Sequence, residues 1–212
     1  MSEPTGRAVA AREWVTDLLH YGMEDDRIDD RSESFVARTA AGAVLVDPLP
    51  MEGALLERLG PIAAIVVQVS SHQRSAWRLR RETGAPVFVP RASLRLEEEG
   101  DETYGDGERL PGGFLARHSP GPQRAHFVLE HPAGGGTLLL GDLVIRDVRD
   151  PGGGLILIPE THRDDPAALL RSLRRLLEGW FEAAGFGHGE PMPRGARGAL
   201  RDLLAREEGG RR

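Results

Sequence analysis

The sequence contains neither cysteine nor lysine among its 212 residues, and all 27 basic side chains other than histidine are arginine. Without cysteine the chain has no disulfide, no thiol nucleophile and no cysteine-ligated zinc or iron–sulfur site. Without lysine it has no P-loop lysine, no Schiff-base lysine and no lysine general base. Any metal ion bound here must therefore be held by histidine and carboxylate side chains.

Long apolar runs are also missing, since none approaches the roughly 18 residues that a membrane-spanning helix needs. The first residues, MSEPTGRAVAAREWVTDLL, lack the apolar core of a signal peptide. The formal net charge is -6, which gives a nucleic-acid partner no bulk electrostatic support. These features predict a cytoplasmic protein with no membrane association and no nucleic-acid partner.

Hydrophobic residues make up 40% of the chain, enough for a packed core. We predict an N-terminal segment over residues 1–33 and a single α/β domain over residues 34–207. Two β-rich halves separated by helices favour an αββα sandwich, in which two mixed sheets pack face to face with helices outside. The expected strands are 34–40, 41–48, 63–69, 86–90, 124–131, 136–142, 155–160 and 185–189. The expected helices are 51–60, 74–83, 164–180 and 194–207.

Two surface features have possible functional interpretations. Residues 97–113 are rich in glycine and acidic residues, which is typical of an exposed connection, and they are a candidate lid. In the helix predicted over 74–83, Arg74, Arg78 and Arg81 share one face at three- and four-residue spacing. That face would suit an anionic ligand, although a solvated helix surface explains it as well.

Four polar residues stand at the ends of predicted strands, where loops usually carry function. Three imidazoles and a carboxylate are a plausible ligand set for zinc or iron. Their positions alone also fit chance, because the chain has seven histidines. We expect His20, His131 and His162 at the surface and His126 as a side chain on the face of a strand. The four candidate ligands are His72, His118, Asp142 and His188.

Several stretches resemble motifs of the metallo-β-lactamase superfamily. AGAVLVDP resembles its strand ending in an Asp-Pro turn, and RHSPG resembles its G-H-[ST]-P-G loop with Arg117 in place of the first glycine. LLLGDLV is similar to the strand with the metal-bridging aspartate, and GFGHGEP to the closing strand with its histidine. The resemblance implies the αββα fold with a metal site at one edge, and it places His118, Asp142 and His188 on ligand positions.

The most diagnostic motif of the superfamily, H-x-H-x-D-H, is degenerate here, because the corresponding region reads QVSSHQRSA. If the following helix and GAPV set the register, His72 matches the last histidine, and Val67, Val69 and Ser71 replace the other ligands. If the strand sets the register, Ser71 replaces the second histidine and His72 is merely adjacent. In either register three of four ligands are lost, so the resemblance implies at most a single metal ion.

Three functions stay open from the sequence. The first is a mononuclear zinc- or iron-dependent hydrolase with His72, Asp142 and His188 as ligands. In this hypothesis His118 is a further ligand or an acid/base, and Asp142 also takes part in catalysis. The second is a metal-free relative that binds a small molecule or a protein. The third is a mononuclear iron oxygenase. In the enzyme hypotheses the partner is a small-molecule substrate, and an anionic compound is among the candidates.

Overall fold

The computed structural model describes residues 3–28, 30–147 and 154–210. The larger sheet has seven strands that follow one another in chain order. They are β1 Arg12–Val15, β2 Leu18–Asp25, β3 Asp30–Thr39, β4 Gly42–Val46, β5 Ile62–Val66, β6 Val87–Pro90 and β7 Glu102–Tyr104. Strands β1 to β4 are antiparallel, and β4 to β7 run parallel.

The second sheet has four strands in the order β13-β10-β9-β8, with β13 parallel to β10. They are β8 Leu115–His118, β9 Phe127–His131, β10 Thr137–Leu139 and β13 Ala183–Gly185. Between β10 and β13 a separate two-stranded hairpin is formed by β11 Val144–Arg146 and β12 Leu155–Leu157. This hairpin borders the candidate site described below.

In the described residues, four α-helices cover the outer faces of the sheets. They are α1 Gly53–Leu59, α2 Ala76–Thr83, α3 Pro166–Glu178 and α4 Ala196–Gly209. One apolar cluster joins the two sheets through residues such as Phe35 and Leu139. A second lies between the larger sheet and α1 and α2, and a third between the smaller sheet and α3 and α4. The predicted αββα sandwich of two mixed sheets is therefore confirmed.

Helix α3 shows how local sequence sets these elements. The Asp165 carboxylate accepts hydrogen bonds from the backbone N–H groups of Ala167 and Ala168, which caps the helix, and Pro166 fits its first turn. Leucines at three- and four-residue spacing, including Leu169 and Leu173, face the core. In the described part of the chain, no helix combines the length and apolarity that a bilayer crossing requires.

Several expected boundaries differ from the structure. Residues 12–25, assigned to an N-terminal segment, form β1 and β2 of the larger sheet. Residues 97–113 contain β7, which pairs with β6, and none of them lines the cavity of the candidate site, so the expectation of a lid was wrong. Strands β8 and β11 were not predicted, because each is only three or four residues long.

The expected arginine face on the second helix is also not formed. Helix α2 begins at Ala76, and Arg74 precedes it as a buried residue with a left-handed backbone (φ 37°). Arg78 binds the carboxylates of Glu3 and Glu82. Arg81 binds Glu98. The three guanidinium groups are thus committed to different partners within the protein.

Candidate metal site

Three of the four candidate ligands meet at one edge of the sandwich. His72 ends a short 3₁₀ turn after β5, Asp142 follows β10, and His188 follows β13. One ligand atom from each residue lies within 4.8 Å of those of the other two. Strands β10 and β13 run parallel in the smaller sheet, so their carboxyl ends deliver Asp142 and His188 to the same edge.

The two imidazoles converge on a single oxygen atom. Nε2 of His72 lies 2.8 Å from Oδ1 of Asp142, and Nε2 of His188 lies 3.5 Å from the same oxygen. Neither contact has the alignment of a hydrogen bond, and within the described residues Oδ1 of Asp142 has no hydrogen-bond partner. A buried carboxylate oxygen approached by two ring nitrogens without a hydrogen bond is a typical arrangement of metal ligands.

The opposite nitrogen of each ring is held by a fixed acceptor. Nδ1 of His188 donates to the backbone carbonyl of Arg31 across 2.9 Å, and a carbonyl oxygen can only accept. Nδ1 of His72 donates to Oδ2 of Asp47 across 2.8 Å. In the neutral rings this leaves a lone pair on each Nε2, the nitrogen nearest to Asp142 in both rings. Metal-binding histidines commonly donate their other ring N–H to such an acceptor, which fixes the tautomer and the orientation of the ring.

The remaining polar atoms of Asp142 have partners of their own. The Ser71 hydroxyl donates to Oδ2 across 3.3 Å. The backbone N–H of Asp142 donates to Nε2 of His126, whose Nδ1 donates to the carbonyl of Ser119. Burial lowers the pKa of His126 to about 4, so this ring is neutral near neutral pH. His126 therefore supports the loop that presents the carboxylate.

Electrostatic interactions within the group favour opposite charges on His72 and Asp142. Burial raises the pKa of the Asp142 carboxyl, but the His72 and His188 rings outweigh burial and hold it well below its ordinary value. Burial and Arg74 lower the pKa of His72, but the Asp142 and Asp47 carboxylates overcome both and raise it. The pocket therefore stabilises a positive charge between these carboxylates, whether proton or metal ion.

Two residues that the sequence did not identify as functional organise the site from behind. Asp47 accepts from His72 and from the backbone N–H of Gln68. Arg74 donates to the carbonyls of Glu33 in β3, Asp47 after β4 and Gly187 after β13, which links three segments far apart in the sequence. Both have left-handed backbones, φ 48° for Asp47 and φ 37° for Arg74. Strain of this kind at non-glycine residues is characteristic of functional sites.

Gly187 leaves the space into which the ligands fit. A Cβ atom at this position would lie 2.7 Å from Cε1 of His72 and 3.0 Å from Oδ1 of Asp142. Any side chain here would therefore displace the ligand group. The glycine before His188 in the GFGHGEP stretch has a packing reason that the sequence alone did not reveal.

His118, the fourth candidate, is not part of the group. Its Nε2 donates to the carbonyl of Arg124 across 2.8 Å, and its ring lies against Phe127. It lines a separate depression beside Glu130 and Arg175 instead of the cavity of the other three. The expectation that all four side chains share one pocket is corrected accordingly, because the short strand β8 directs His118 elsewhere.

His20, expected at the surface, is buried. Its Nε2 lies 2.5 Å from Oε2 of Glu33, whose other oxygen accepts from Arg31 Nε across 2.6 Å. The exposed fraction of His20 is 3% and that of Glu33 is 1%. Because the carbonyl of Arg31 accepts from His188, this buried network lies directly behind the candidate site.

A cavity of about 750 Å³ opens onto the ligand group. The tip of the β2–β3 hairpin forms one wall, and the β11–β12 hairpin with the chain after it forms the opposite wall. Ser71, Arg74 and the three grouped residues lie at its base. A cavity of this size accommodates a small molecule.

The sequence matches no protein-family model and no curated protein. Solved structures do resemble the fold. DIM-1 metallo-β-lactamase is 15% identical, with a TM-score of 0.75 over 97% of this chain and 99% of that chain. A metallo-β-lactamase from Pontibacter korlensis is 16% identical, with a TM-score of 0.73 over 92% and 98%. TTHA1623, solved in a di-iron-bound form, is 24% identical, with a TM-score of 0.63 over 83% and 93%.

Proposed function

We propose that this chain, which has the metallo-β-lactamase fold, is a mononuclear metal-dependent hydrolase whose single ion is held by His72, Asp142 and His188. The observation that carries the proposal is the convergence of two Nε2 atoms on one carboxylate oxygen that has no hydrogen bond. Each ring has its Nδ1 hydrogen committed elsewhere, so in the neutral ring Nε2 keeps a lone pair that a metal ion can use. A divalent cation would satisfy all three atoms together.

A proton is the alternative to a metal ion between these groups. It would sit on Nε2 of His72, which is the closer nitrogen, and form an ion pair with Asp142. That arrangement leaves Nε2 of His188 facing the carboxylate across 3.5 Å without a proton. Two histidines and one carboxylate are a common ligand set for zinc or iron. Each ring here also donates its Nδ1 hydrogen to a fixed acceptor, as metal-binding histidines commonly do, so the group fits a metal ion better than a simple ion pair.

The same residues argue for one ion and not two. Val67 and Val69 replace the first two histidines in the register set by the following helix and GAPV, and both are fully buried with no ligand atoms. Both ring nitrogens of His126 already form hydrogen bonds. His118 lies outside the cavity. In the described chain the side chains around a second position therefore offer no complete ligand set.

A divalent ion bound here would lower the pKa of a water molecule toward 7 and polarise a substrate carbonyl. The protein's contribution is to hold the ligands and admit the substrate. Asp47 fixes the ring of His72, and the carbonyl of Arg31 fixes that of His188. Ser71 directs the Asp142 carboxylate through its hydroxyl. His118, predicted as an acid/base, is too far removed to receive a catalytic role in this proposal.

Metal analysis tests the proposal. Protein purified without a metal-binding tag should contain about one zinc per chain after reconstitution, as expected for a single site. His188→Ala should lose most of this metal because it removes one of three protein ligands. His118→Ala is the matched control and should retain it, since His118 is bound to Arg124 away from the group.

Other outcomes point to the other functions. Metal content near zero in the reconstituted wild type would contradict the hydrolase and favour a metal-free binding protein. Stoichiometric iron in place of zinc would favour the oxygenase. Equal metal loss in His118→Ala and His188→Ala would show that the site is not the one described here.

A further inference from the structure

The isoleucines of this protein are concentrated around one cavity. The sequence contains six, and four of them line the cavity that opens onto the ligand group. The remaining two, Ile62 and Ile65, lie in β5 of the larger sheet. The four lining residues are Ile28, Ile145, Ile156 and Ile158.

The β11–β12 hairpin presents two of these side chains on one face. Ile145 and Ile156 are directly opposite each other in the antiparallel register. Their neighbours Val144 and Leu157, also paired, lie on the other face and belong to the apolar cluster under α3 and α4. Ile145 and Ile156 belong to none of the three apolar clusters of the described chain. Their side chains form an apolar wall facing the cavity, which we call the isoleucine wall.

Ile28 adds apolar surface on the opposite side of the cavity. It lies at the tip of the β2–β3 hairpin, and 48% of its surface is exposed, which is unusual for a large aliphatic residue in this protein. Pro122 and Pro159 add further apolar surface to the lining. Apolar side chains placed around a polar centre favour a ligand that is apolar along most of its length.

The charged residues of the cavity do not favour an anion. Among the described lining residues, two arginines face four aspartates, a formal charge of -2 with the histidines neutral. Arg27 binds Asp25 through two nitrogens, and Arg74 binds three backbone carbonyls. Both cations are thus already engaged. One divalent ion would bring the formal charge to zero, which suits an uncharged substrate.

We infer that the substrate is an uncharged aliphatic acyl compound, an ester, thioester or lactone, whose acyl chain lies on the isoleucine wall. The inference rests on the proposed hydrolase function and specifies its substrate class. Hydrolysis of such a compound adds the oxygen of water to the carbonyl carbon and breaks the bond to the leaving oxygen or sulfur. The leaving atom takes a proton from the water, so the products are a carboxylic acid and an alcohol or thiol.

Binding to the wall is measurable without catalysis. With ¹³C labelling of the isoleucine δ1 methyl groups alone, the protein gives six NMR signals, and Ile62 and Ile65 are internal controls. In metal-free protein, 2-octanone should shift the Ile145 and Ile156 signals at lower concentration than 2-butanone does. Octanoate should bind no more tightly than 2-octanone. Shifts confined to Ile62 and Ile65, or tighter binding of octanoate, would overturn the inference.

Kinetics then test the acyl specificity of the metal-loaded protein. From p-nitrophenyl acetate to p-nitrophenyl hexanoate, kcat/KM should rise about fourfold per buried methylene, on the order of 100-fold in total. Ile156→Thr should reduce the ratio of kcat/KM for hexanoate to kcat/KM for acetate on the order of fivefold. Ile62→Thr, the matched control outside the cavity, should keep the preference.

The two experiments separate failure of the inference from failure of the proposed function. Equal kcat/KM values for p-nitrophenyl acetate and p-nitrophenyl hexanoate would contradict binding of the acyl chain to the isoleucine wall, without contradicting the proposed hydrolase function. Absence of hydrolysis in zinc-loaded protein, combined with 2-octanone shifts at Ile145 and Ile156, would contradict the hydrolase and support an apolar binding wall. Absence of both would contradict both.

Discussion

Nδ1 of His72 donates to Oδ2 of Asp47 across 2.8 Å, and both residues are almost completely buried. The second oxygen of Asp47 accepts from the backbone N–H of Gln68, also across 2.8 Å. Asp47 thus offers one acceptor to each of two fixed donors. Its carboxylate sets the tautomer of His72 and connects the ligand group to the end of β5.

Replacing Asp47 by asparagine should weaken metal binding. Asparagine has only one acceptor oxygen, so either the His72 ring or the Gln68 N–H would face an amide N–H₂ group. Loss of the acceptor that a metal-binding histidine donates to commonly weakens metal affinity about 10- to 100-fold. Competition with a chromophoric chelator measures the zinc affinity. Asp202→Asn, an exposed change on α4, is the control and should leave the affinity unchanged.

The buried amide of Gln68 joins the two sheets. Its Nε2 donates to the carbonyls of Phe127 and Leu139, across 2.9 Å and 2.8 Å. Gln68→Leu leaves both buried carbonyls without these donors and should lower the free energy of unfolding by about 2–4 kcal/mol. Urea unfolding measures the change. Gln123→Leu, which removes one partly buried hydrogen bond to Ser70, should cost less than about 1.5 kcal/mol.

Gly22 is paired across the β2–β3 ladder with Glu33, and its lack of a side chain makes room for that carboxylate. A Cβ at Gly22 would lie 1.7 Å from Oε2 of Glu33. Gly22→Ala should therefore destabilise the protein by about 1–3 kcal/mol through overpacking. In a Glu33→Ala background the same change should cost much less, since the Glu33 carboxylate is gone and the remaining close atom, at 2.9 Å, is the end of the flexible Arg31 side chain.

A double-mutant cycle by urea unfolding measures this coupling. Gly198→Ala, at a position in α4 with open space around the added Cβ, should stabilise by about 0.5–1 kcal/mol. Equal costs of Gly22→Ala in both backgrounds would show that Glu33 does not require this glycine.

The Asp25 carboxylate should make stability dependent on acidic pH. Burial raises its pKa, but hydrogen bonds from Arg27 and Ser32 outweigh burial and hold the pKa below its ordinary value of 3.8. The unfolded chain therefore takes up this proton at higher pH than the folded chain does. The stabilisation is present above the unfolded pKa and is lost as pH falls from about 4 toward the folded pKa.

Asp25→Asn should remove this contribution, lowering the free energy of unfolding at pH 7 by about 1–3 kcal/mol and flattening its decline below about pH 4. Unfolding by urea at a series of pH values gives both quantities. Asp26→Asn, at the exposed neighbouring position, should lower the free energy of unfolding at pH 7 much less. If the free energy of unfolding of Asp25→Asn falls as steeply below about pH 4 as that of the wild type, other groups cause the acid sensitivity.

Much of the architecture followed from patterns that a sequence exposes directly. The apolar run over β5 and the capped leucine pattern of α3 each have a local cause. The positions of His72, Asp142 and His188 at strand ends were also readable, because carboxyl ends of strands deliver loops to one edge. The family resemblance supplied the expectation of the αββα fold with a metal site at one edge.

What the sequence could not supply was geometry that depends on tertiary contacts. Arg74 looked like a helix-surface residue, since a left-handed backbone at a non-glycine residue leaves no sequence signal. The pairing of His20 with Glu33 depends on the register between β2 and β3. His118 was placed in the site because the strand that turns it away is only four residues long. Asp47, by contrast, is recognisable from the sequence as a polar residue at the end of a buried strand, which is a typical position for a functional residue.

X-ray absorption spectroscopy of zinc-loaded protein tests the central claim most directly, because it reports the ligands and the number of neighbouring metal atoms. We predict two imidazole nitrogens and one carboxylate oxygen at about 2.0–2.2 Å from zinc. We also predict no metal–metal scattering at the roughly 3.5–4 Å typical of two-metal sites. A spectrum with three or more imidazoles, or with a second metal at that distance, would contradict the account.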